Sequence, residues 1–294
     1  MPDEVGAPDL VPGVLTEYLT EDSGIFVKST REFERFKSPY QTVEVHDTLS
    51  FGKLFRLDGH FMTSEKDEFF YHENLVHVAA MAHPAPETAL IIGGGDGGSA
   101  EELLKYPTMK SVTLVEIDLA VVDIARKYFG EVHHGALNDP RLRLIVEDGL
   151  AHVRSTAETY DVIILDLTDP GGPSEPLYDA DFYRACSARL NPTGAMTLHI
   201  GSPIAHPERI RKVMANLRAT FAVVVPYLTS IPLYGGLWMM ACASSTLNPS
   251  YLTSLEADRR VATRRIRDLR YYNGDIHRSS FALPNFVRDL VAPA

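Results

Sequence analysis

The stretch ALIIGGGDGGSA, which begins at Ala89, constrains this chain more than any other. Leu90, Ile91 and Ile92 form an apolar β-type run that enters a turn of Gly93, Gly94, Gly95, Asp96, Gly97 and Gly98, and SAEELLKY beyond it is a good helix former. Strand, tight glycine turn and helix start make the first crossover of a nucleotide-binding parallel sheet. Glycines supply the φ > 0 geometry of such a turn and let N–H groups at the helix start approach a ligand. Asp96 narrows the reading, because a carboxylate inside the turn repels a pyrophosphate and welcomes a cation.

Residues 1 to 13 read as a loose leader broken by Pro2, Pro8, Pro12 and Gly13. GIFVKS, QTVEVHDT and KLFRLDGHF then alternate as short strands between turn signals, which predicts a small antiparallel β unit. A helix is expected from about Lys66 through DEFFYHENLVHVAAMAH, ended by Pro84 and Pro86. After the glycine turn, SVTLVEID, RLRLIVEDG, DVIILDLTDP and GAMTLHIGS read as buried parallel strands, with LAVVDIARKYF and DADFYRACSARL as helices between them. PERIRKVMANLRATF, strands around VVVPYLTSIP and GLWMMACAS, and a C-terminal helical segment through RRIRDLR follow. The fold class is therefore α/β with a doubly wound sheet. We divide it into an N-terminal β domain with leader, residues 1–64, and a catalytic domain, residues 65–294.

The formal net charge of −11 argues against a nucleic-acid surface, which needs a basic footprint. Cys186 and Cys242 are the only cysteines; both sit in apolar surroundings, so buried thiols in a reducing compartment are expected, with no CxxC metal site. The N-terminus lacks a basic and apolar signal pattern and no run approaches a membrane span, so the expected location is the cytoplasm.

Ligands of open parallel sheets bind beyond the carboxyl ends of the strands. Acidic residues fall there after four successive strands: Asp96, Glu116 in LVEID, Asp148 in VEDG, and Asp166 with Asp169 in ILDLTDP. One such Asp is commonly a turn former or helix cap, but four carboxylates at one rim cost Coulomb energy unless a cation or donor lies among them. Glu116 is placed to accept from ribose hydroxyls, and Asp148 before Gly149 from an adenine amino group. Asp96 then falls near positive charge, which favours an adenosylmethionine-type ligand over a dinucleotide. Asp166 and Asp169 can bind an ammonium and accept its proton, the step an alkyl amine needs before it attacks. A sulfonium leaves as a neutral thioether and needs no general acid.

In combination these motifs resemble the polyamine aminopropyltransferases, the spermidine and spermine synthase family. Ser38, Tyr40 and Gln41 in SPYQ, GKLFRLDG, EKDEFFYHE, LIIGGGDGG, LVEID, VEDG, DLTDPGGPSEPLY, SIPLYGG and RYYNGDIHRSSFALPNF follow in family order. The resemblance implies transfer of an aminopropyl group from decarboxylated S-adenosylmethionine, a co-substrate rather than a prosthetic group, to a polyamine acceptor, with 5′-methylthioadenosine released. Gln41, Glu116 and Asp148 would hold the nucleoside beside Gly93, Gly95 and Gly149, and Asp96 the aminopropyl amine. Asp166 would be the base, while Asp169, Tyr71 and Tyr234 would position the acceptor. A Rossmann-like methyltransferase-type domain after the β domain is implied, in homodimers or homotetramers.

The chain departs from the family pattern at the acceptor end. His72 stands where Gln is frequent, and His199, Ile200, Gly201 and Ser202 replace a Gln-Gly-Glu type segment. His72 and His199 read as partners of an amine, as pH-sensitive groups or as ordinary core histidines, and not as a metal site, for want of close spacing and a third ligand. Putrescine is the first expected acceptor, and spermidine, giving spermine or thermospermine, the alternative; cadaverine and agmatine belong to the same question. A small-molecule methyltransferase and a non-catalytic polyamine or nucleoside binder are the competing classes. His133 and His134 read as solvated loop residues. The run Arg259, Arg260, Arg264, Arg265, Arg267 and Arg270 reads as a solvated or subunit-contact helix face, and Met239 and Met240 as core.

Overall fold

The computed structural model describes residues 13–170 and 172–293, so all of the expected leader except Gly13 lies outside the described residues. Strands β1 (Val14–Tyr18), β2 (Gly24–Lys37), β3 (Thr42–Thr48), β4 (Gly52–Leu57) and β5 (His60–Ser64) form an antiparallel meander in chain order. Asp58 and Gly59, with φ of 50° and 85°, close β4 onto β5 through the two-residue turn that a positive φ at both positions permits. β2 runs through STREFERFK, well past the expected GIFVKS. Register shifts against β3 at Ser29/Arg31 and Glu32/Glu34 are bulges, and they interrupt the alternation by which the strand would have been read.

Helix α1 (Glu68–Ala82) is buried almost all round and leads into the second unit. Its elements are β6 (Thr88–Gly93), α2 (Gly98–Leu104), β7 (Ser111–Glu116), α3 (Leu119–Tyr128), α4 (Gly130–His133), β8 (Leu142–Val146), α5 (Gly149–Ser155), β9 (Tyr160–Asp166) and α6 (Ala180–Ser187). β10 (Leu190–Gly201), α7 (Pro207–Arg218), β11 (Val223–Ile231), β12 (Gly236–Ser244), α8 (Ser254–Thr263), α9 (Gly274–Ser280) and α10 (Asn285–Leu290) complete it. The sheet order is β11-β12-β10-β9-β6-β7-β8, parallel from β10 to β8, with β12 antiparallel to both its neighbours. This is a Rossmann-like α/β fold, and the winding reverses between β6 and β9, where such sheets open a crevice.

Alternation along β6 divides the core. Ile91 packs with Leu75, Leu103 and Ile164 on one face, and Leu90 and Ile92 pack with Ile163, Phe182 and Met214 on the other. Val43, Val45, Phe55 and Leu57 of the N-terminal sheet bury against Val121, Ile124, Phe129 and Val132, which brings the Ser38–Gln41 segment over the strand ends. Met239, Met240, Cys186 and Cys242 are buried, as expected.

Two expectations need correction. The helix expected through RRIRDLR stops at Thr263, and Arg265 and Asp268 adopt left-handed backbone. Arg260 instead donates to Met81 O and Ala82 O, and Arg264 to Ala80 O, His83 O and Pro84 O. These include carbonyls that the end of α1 leaves without helical partners, at the negative end of its dipole. Arg270 lies 3.8 Å over the Phe69 ring. Half of the run thus braces α1 rather than facing solvent or a subunit. His133 is buried in α4, where its Nδ1 accepts from Gly135 N; His134 is exposed.

Candidate active site

The site is assembled where β6, β7 and β9 end. Gly93 has φ +79°, and a Cβ there would stand 2.1 Å from Asp166 O, so only glycine lets β6 close so tightly on β9. Gly94 N donates to the same carbonyl at 2.8 Å and fixes the Asp166 backbone. The Asp166 carboxylate accepts from Ser99 Oγ at 2.6 Å, and the Tyr71 hydroxyl turns toward it. Burial, reinforced by the nearby Asp96 charge, raises the Asp166 pKa above its ordinary value.

Asp96 Oδ1 accepts from Gly98 N at 3.0 Å, and Oδ2 faces His72 Nε2 at 3.5 Å. The other ring nitrogen of His72 lies 2.9 Å from Glu68 Oε2, one helical turn back on α1. Burial opposes a charged ring, yet Asp96 and Glu68 outweigh it and hold the His72 pKa well above the ordinary value. That imidazolium in turn overcomes burial at Asp96 and keeps its pKa low. The His72 ring reaches this place across Gly98, where an added Cβ would be 2.3 Å from ring carbon.

At the end of β7 Glu116 is buried and accepts from Asp118 N at 2.9 Å, with further backbone donors from Gly95 and Ile117. Burial outweighs these donors and pushes its pKa up to about 7. Gln41 Nε2 donates to Asp118 Oδ2 at 3.0 Å, and Ser38 Oγ to the same oxygen at 2.6 Å. Asp118 also caps α3 through Ala120 N, and that cap position is the one signal it left in the sequence. Asp148 caps α5 by accepting from Ala151 N at 2.7 Å. Gly149 follows it, where a Cβ would stand 2.4 Å from Ile92.

Gln41, Tyr71, His72, Gly93, Gly95, Asp96, Glu116, Asp148, Gly149, Asp166 and Tyr234 line one cleft of about 970 Å³, part of it open to solvent. Tyr234 donates to Met62 O, and its ring lies 5.9 Å from that of Tyr71. Asp67, just before α1, accepts from Leu233 N at 2.9 Å and so ties Tyr234 to α1. Asp169 and His199 do not line this cleft. They stand beyond Tyr71, whose ring is 6.1 Å from the imidazole of His199, and Asp169 is paired with Arg209 at 2.7 Å. Ser99, Glu68, Asp118 and Arg209 belong to the site or its supports and were not singled out from sequence, whereas Trp238 stands in the segment after Tyr234 where the sequence departs from the family pattern.

One ligand atom each of His72, Asp96 and Asp166 lie within 4.8 Å of one another, and His199, the histidine weighed with His72 from the sequence, is not in that group.

A family model described as the spermine/spermidine synthase domain matches residues 68–252. A polyamine aminopropyltransferase of Nitrosomonas europaea is 46% identical over 94% of this chain and 85% of its own length. One from Moorella thermoacetica is 42% identical over 94% and 95%. The chain belongs to the spermine/spermidine synthase family. A spermidine synthase crystallised with the transition-state analogue AdoDATO superimposes with a TM-score of 0.89 at 33% identity, covering 99% of this chain and 98% of that one. The chain is therefore an enzyme of the polyamine aminopropyltransferase class.

Proposed function

We propose that the enzyme transfers the aminopropyl group of decarboxylated S-adenosylmethionine to putrescine, releasing 5′-methylthioadenosine, with Asp166 as general base. The observation that carries this reading is the pairing of Asp96 and Asp166 in a buried pocket beside a nucleoside-type rim. Asp96, Asp166 and Glu68 against one His72 imidazolium leave an excess of negative charge. A donor with a sulfonium and an ammonium supplies two positive charges and relieves that excess. Glu116 and Gln41 hold the ribose, Asp148 the adenine amino group, and Asp96 the aminopropyl ammonium.

Putrescine enters as an ammonium, and Asp166, its pKa raised toward the task, removes one proton. The freed lone pair attacks the carbon bonded to sulfur, and the C–S electron pair departs on sulfur as a neutral thioether. The new secondary amine keeps its positive charge, and the proton on Asp166 passes to water. Tyr71 and Tyr234 present rings along which the acceptor's methylenes can lie. The reading includes the division at residues 64/65, a cytoplasmic location and assembly into two or four copies.

Mass spectrometry of products from decarboxylated S-adenosylmethionine with putrescine, cadaverine, spermidine and agmatine in competition tests the reading. An amine heavier by one aminopropyl unit, with equimolar methylthioadenosine, is expected. Methyl transfer from intact S-adenosylmethionine without that product would sink it.

A further inference from the structure

Beyond Tyr71 lies a group of buried polar atoms without hydrogen-bond partners among the described residues: Asp169 Oδ1, His199 Nδ1, His206 Nδ1 and Trp238 Nε1. They are contiguous. Arg209 Nη1 is 2.7 Å from Asp169 Oδ2, His199 Nδ1 is 3.8 Å from Asp169 Oδ1, and the Trp238 indole stacks on the His199 ring and meets His206 edge-on. Native interiors rarely leave such atoms unpaired, so a cluster of them marks a place where a polar guest would be satisfied.

The hydrogen-bond network defines that guest. His199 Nε2 lies 2.8 Å from Leu167 O and 3.0 Å from Tyr178 Oη, and Tyr178 Oη donates to Thr168 O. A carbonyl cannot donate, so Nε2 carries the proton. The ring is neutral, since burial lowers its pKa, and Nδ1 presents a lone pair. Two acceptors, Nδ1 and Asp169 Oδ1, thus stand 3.8 Å apart and need one group with two hydrogens between them. A terminal ammonium meets that need.

The same arrangement closes off what lies beyond. Arg209 comes from the first turn of α7 and occupies the second oxygen of Asp169 with its positive charge. Gly201, at φ +100°, makes room for it: a Cβ there would be 3.3 Å from His206 Nδ1 and 3.5 Å from Arg209 Nη1. A triamine seated at Asp169 through its secondary ammonium would have to drive three more methylenes and another ammonium against a guanidinium.

Building on the aminopropyl-transfer reading, we propose that Arg209 terminates the acceptor channel: Asp169 and His199 cradle the far ammonium of a diamine, and the guanidinium rejects triamines. Arg209 is thereby a specificity-determining residue that acts on the acceptor by its charge and by positioning Asp169.

The test is kcat/KM for putrescine and for spermidine, with decarboxylated S-adenosylmethionine saturating, in the wild type, Arg209→Ala and Arg209→Lys. The wild type should prefer putrescine by about 100-fold or more. Arg209→Ala should narrow that ratio at least tenfold, mainly through a lower KM for spermidine, and Arg209→Lys should restore it. Wild-type use of both amines within threefold would mean that these atoms hold only water, and it overturns the proposal without any variant. A ratio unmoved in a folded Arg209→Ala overturns it as well. Turnover of putrescine by the wild type separates either failure from failure of the transfer chemistry itself, whose absence would remove both.

Discussion

At the proposed nucleoside end Glu116 rests on backbone N–H groups of Gly95, Ile117 and Asp118, whereas at the proposed amine end Asp166 is held by side chains, Ser99 and Tyr71. The first arrangement is rigid and fixed by the strand-turn-helix geometry. The second is a coupled charge cluster in which each group sets the protonation of the next, from Glu68 through His72 and Asp96 to Asp166. Binding and proton transfer are thus assigned to different kinds of scaffolding, and a substitution at one end should leave the other's property nearly intact.

The largest separation is expected from Asp166→Asn. Loss of a general base costs about 10²–10⁴ in rate, so kcat should fall by that order while the affinity for methylthioadenosine changes by less than about threefold. Because the Asp166 pKa is raised, kcat/KM in the wild type should climb with pH on the acid side as the carboxyl ionises, and the variant should lose that limb. A nucleoside affinity that drops in step with kcat, measured by titration calorimetry, would show that the two ends are not separable.

Glu116→Gln probes the opposite end and should act on binding. The donor's Kd should rise by about tenfold or more, as expected when hydrogen bonds to a charged group are weakened by 1.5–3 kcal/mol. The stability sign is the reverse. The folded-state pKa of about 7 exceeds the ordinary carboxyl value of 4.5, so the folded protein binds the extra proton. The stability this contributes is present below the unfolded pKa and is lost as pH rises through about 7. Removing the charge should therefore stabilise the ligand-free protein at pH 8 by an amount on the order of 1–3 kcal/mol, read as a higher melting temperature. In the wild type, ribose hydroxyls donating to the carboxylate should expel that proton, visible near pH 6.5 as a binding enthalpy that varies with buffer ionisation. A melting temperature that falls, with buffer-independent enthalpy, would show that Glu116 is already charged in the empty site.

The same contrast governs what could be read in the sequence. Asp96, Glu116, Asp148 and Asp166 were legible because the end of a parallel strand maps directly onto the rim of the cleft, and the glycine turn marks the first of those ends. Their supports were not. Ser38 meets Asp118 and Ser99 meets Asp166 from 80 and 67 residues away, and nothing local in either segment announces the partner. Arg209 sits in an ordinary amphipathic helix and shows its role only when α7 packs beside β10. The basic run misled for a related reason: helical spacing predicted a continued face, but the open carbonyls at the end of α1 compete for Arg260 and Arg264.

The smallest and most specific effect belongs to Ser99→Ala. Ser99 is fully buried, and its hydroxyl is a side-chain donor to Asp166 Oδ2, stabilising the charged form. Deleting it should raise the Asp166 pKa further, because a hydrogen bond to the charged form is lost. The acid limb of kcat/KM should move to higher pH, giving a loss on the acid side that shrinks as the pH rises. Methylthioadenosine affinity should stay constant, because the backbone-held end does not feel the change. A uniform loss at all pH values would instead mark Ser99 as packing for the α2 start, and the side-chain control of proton transfer would have to rest on Tyr71 alone.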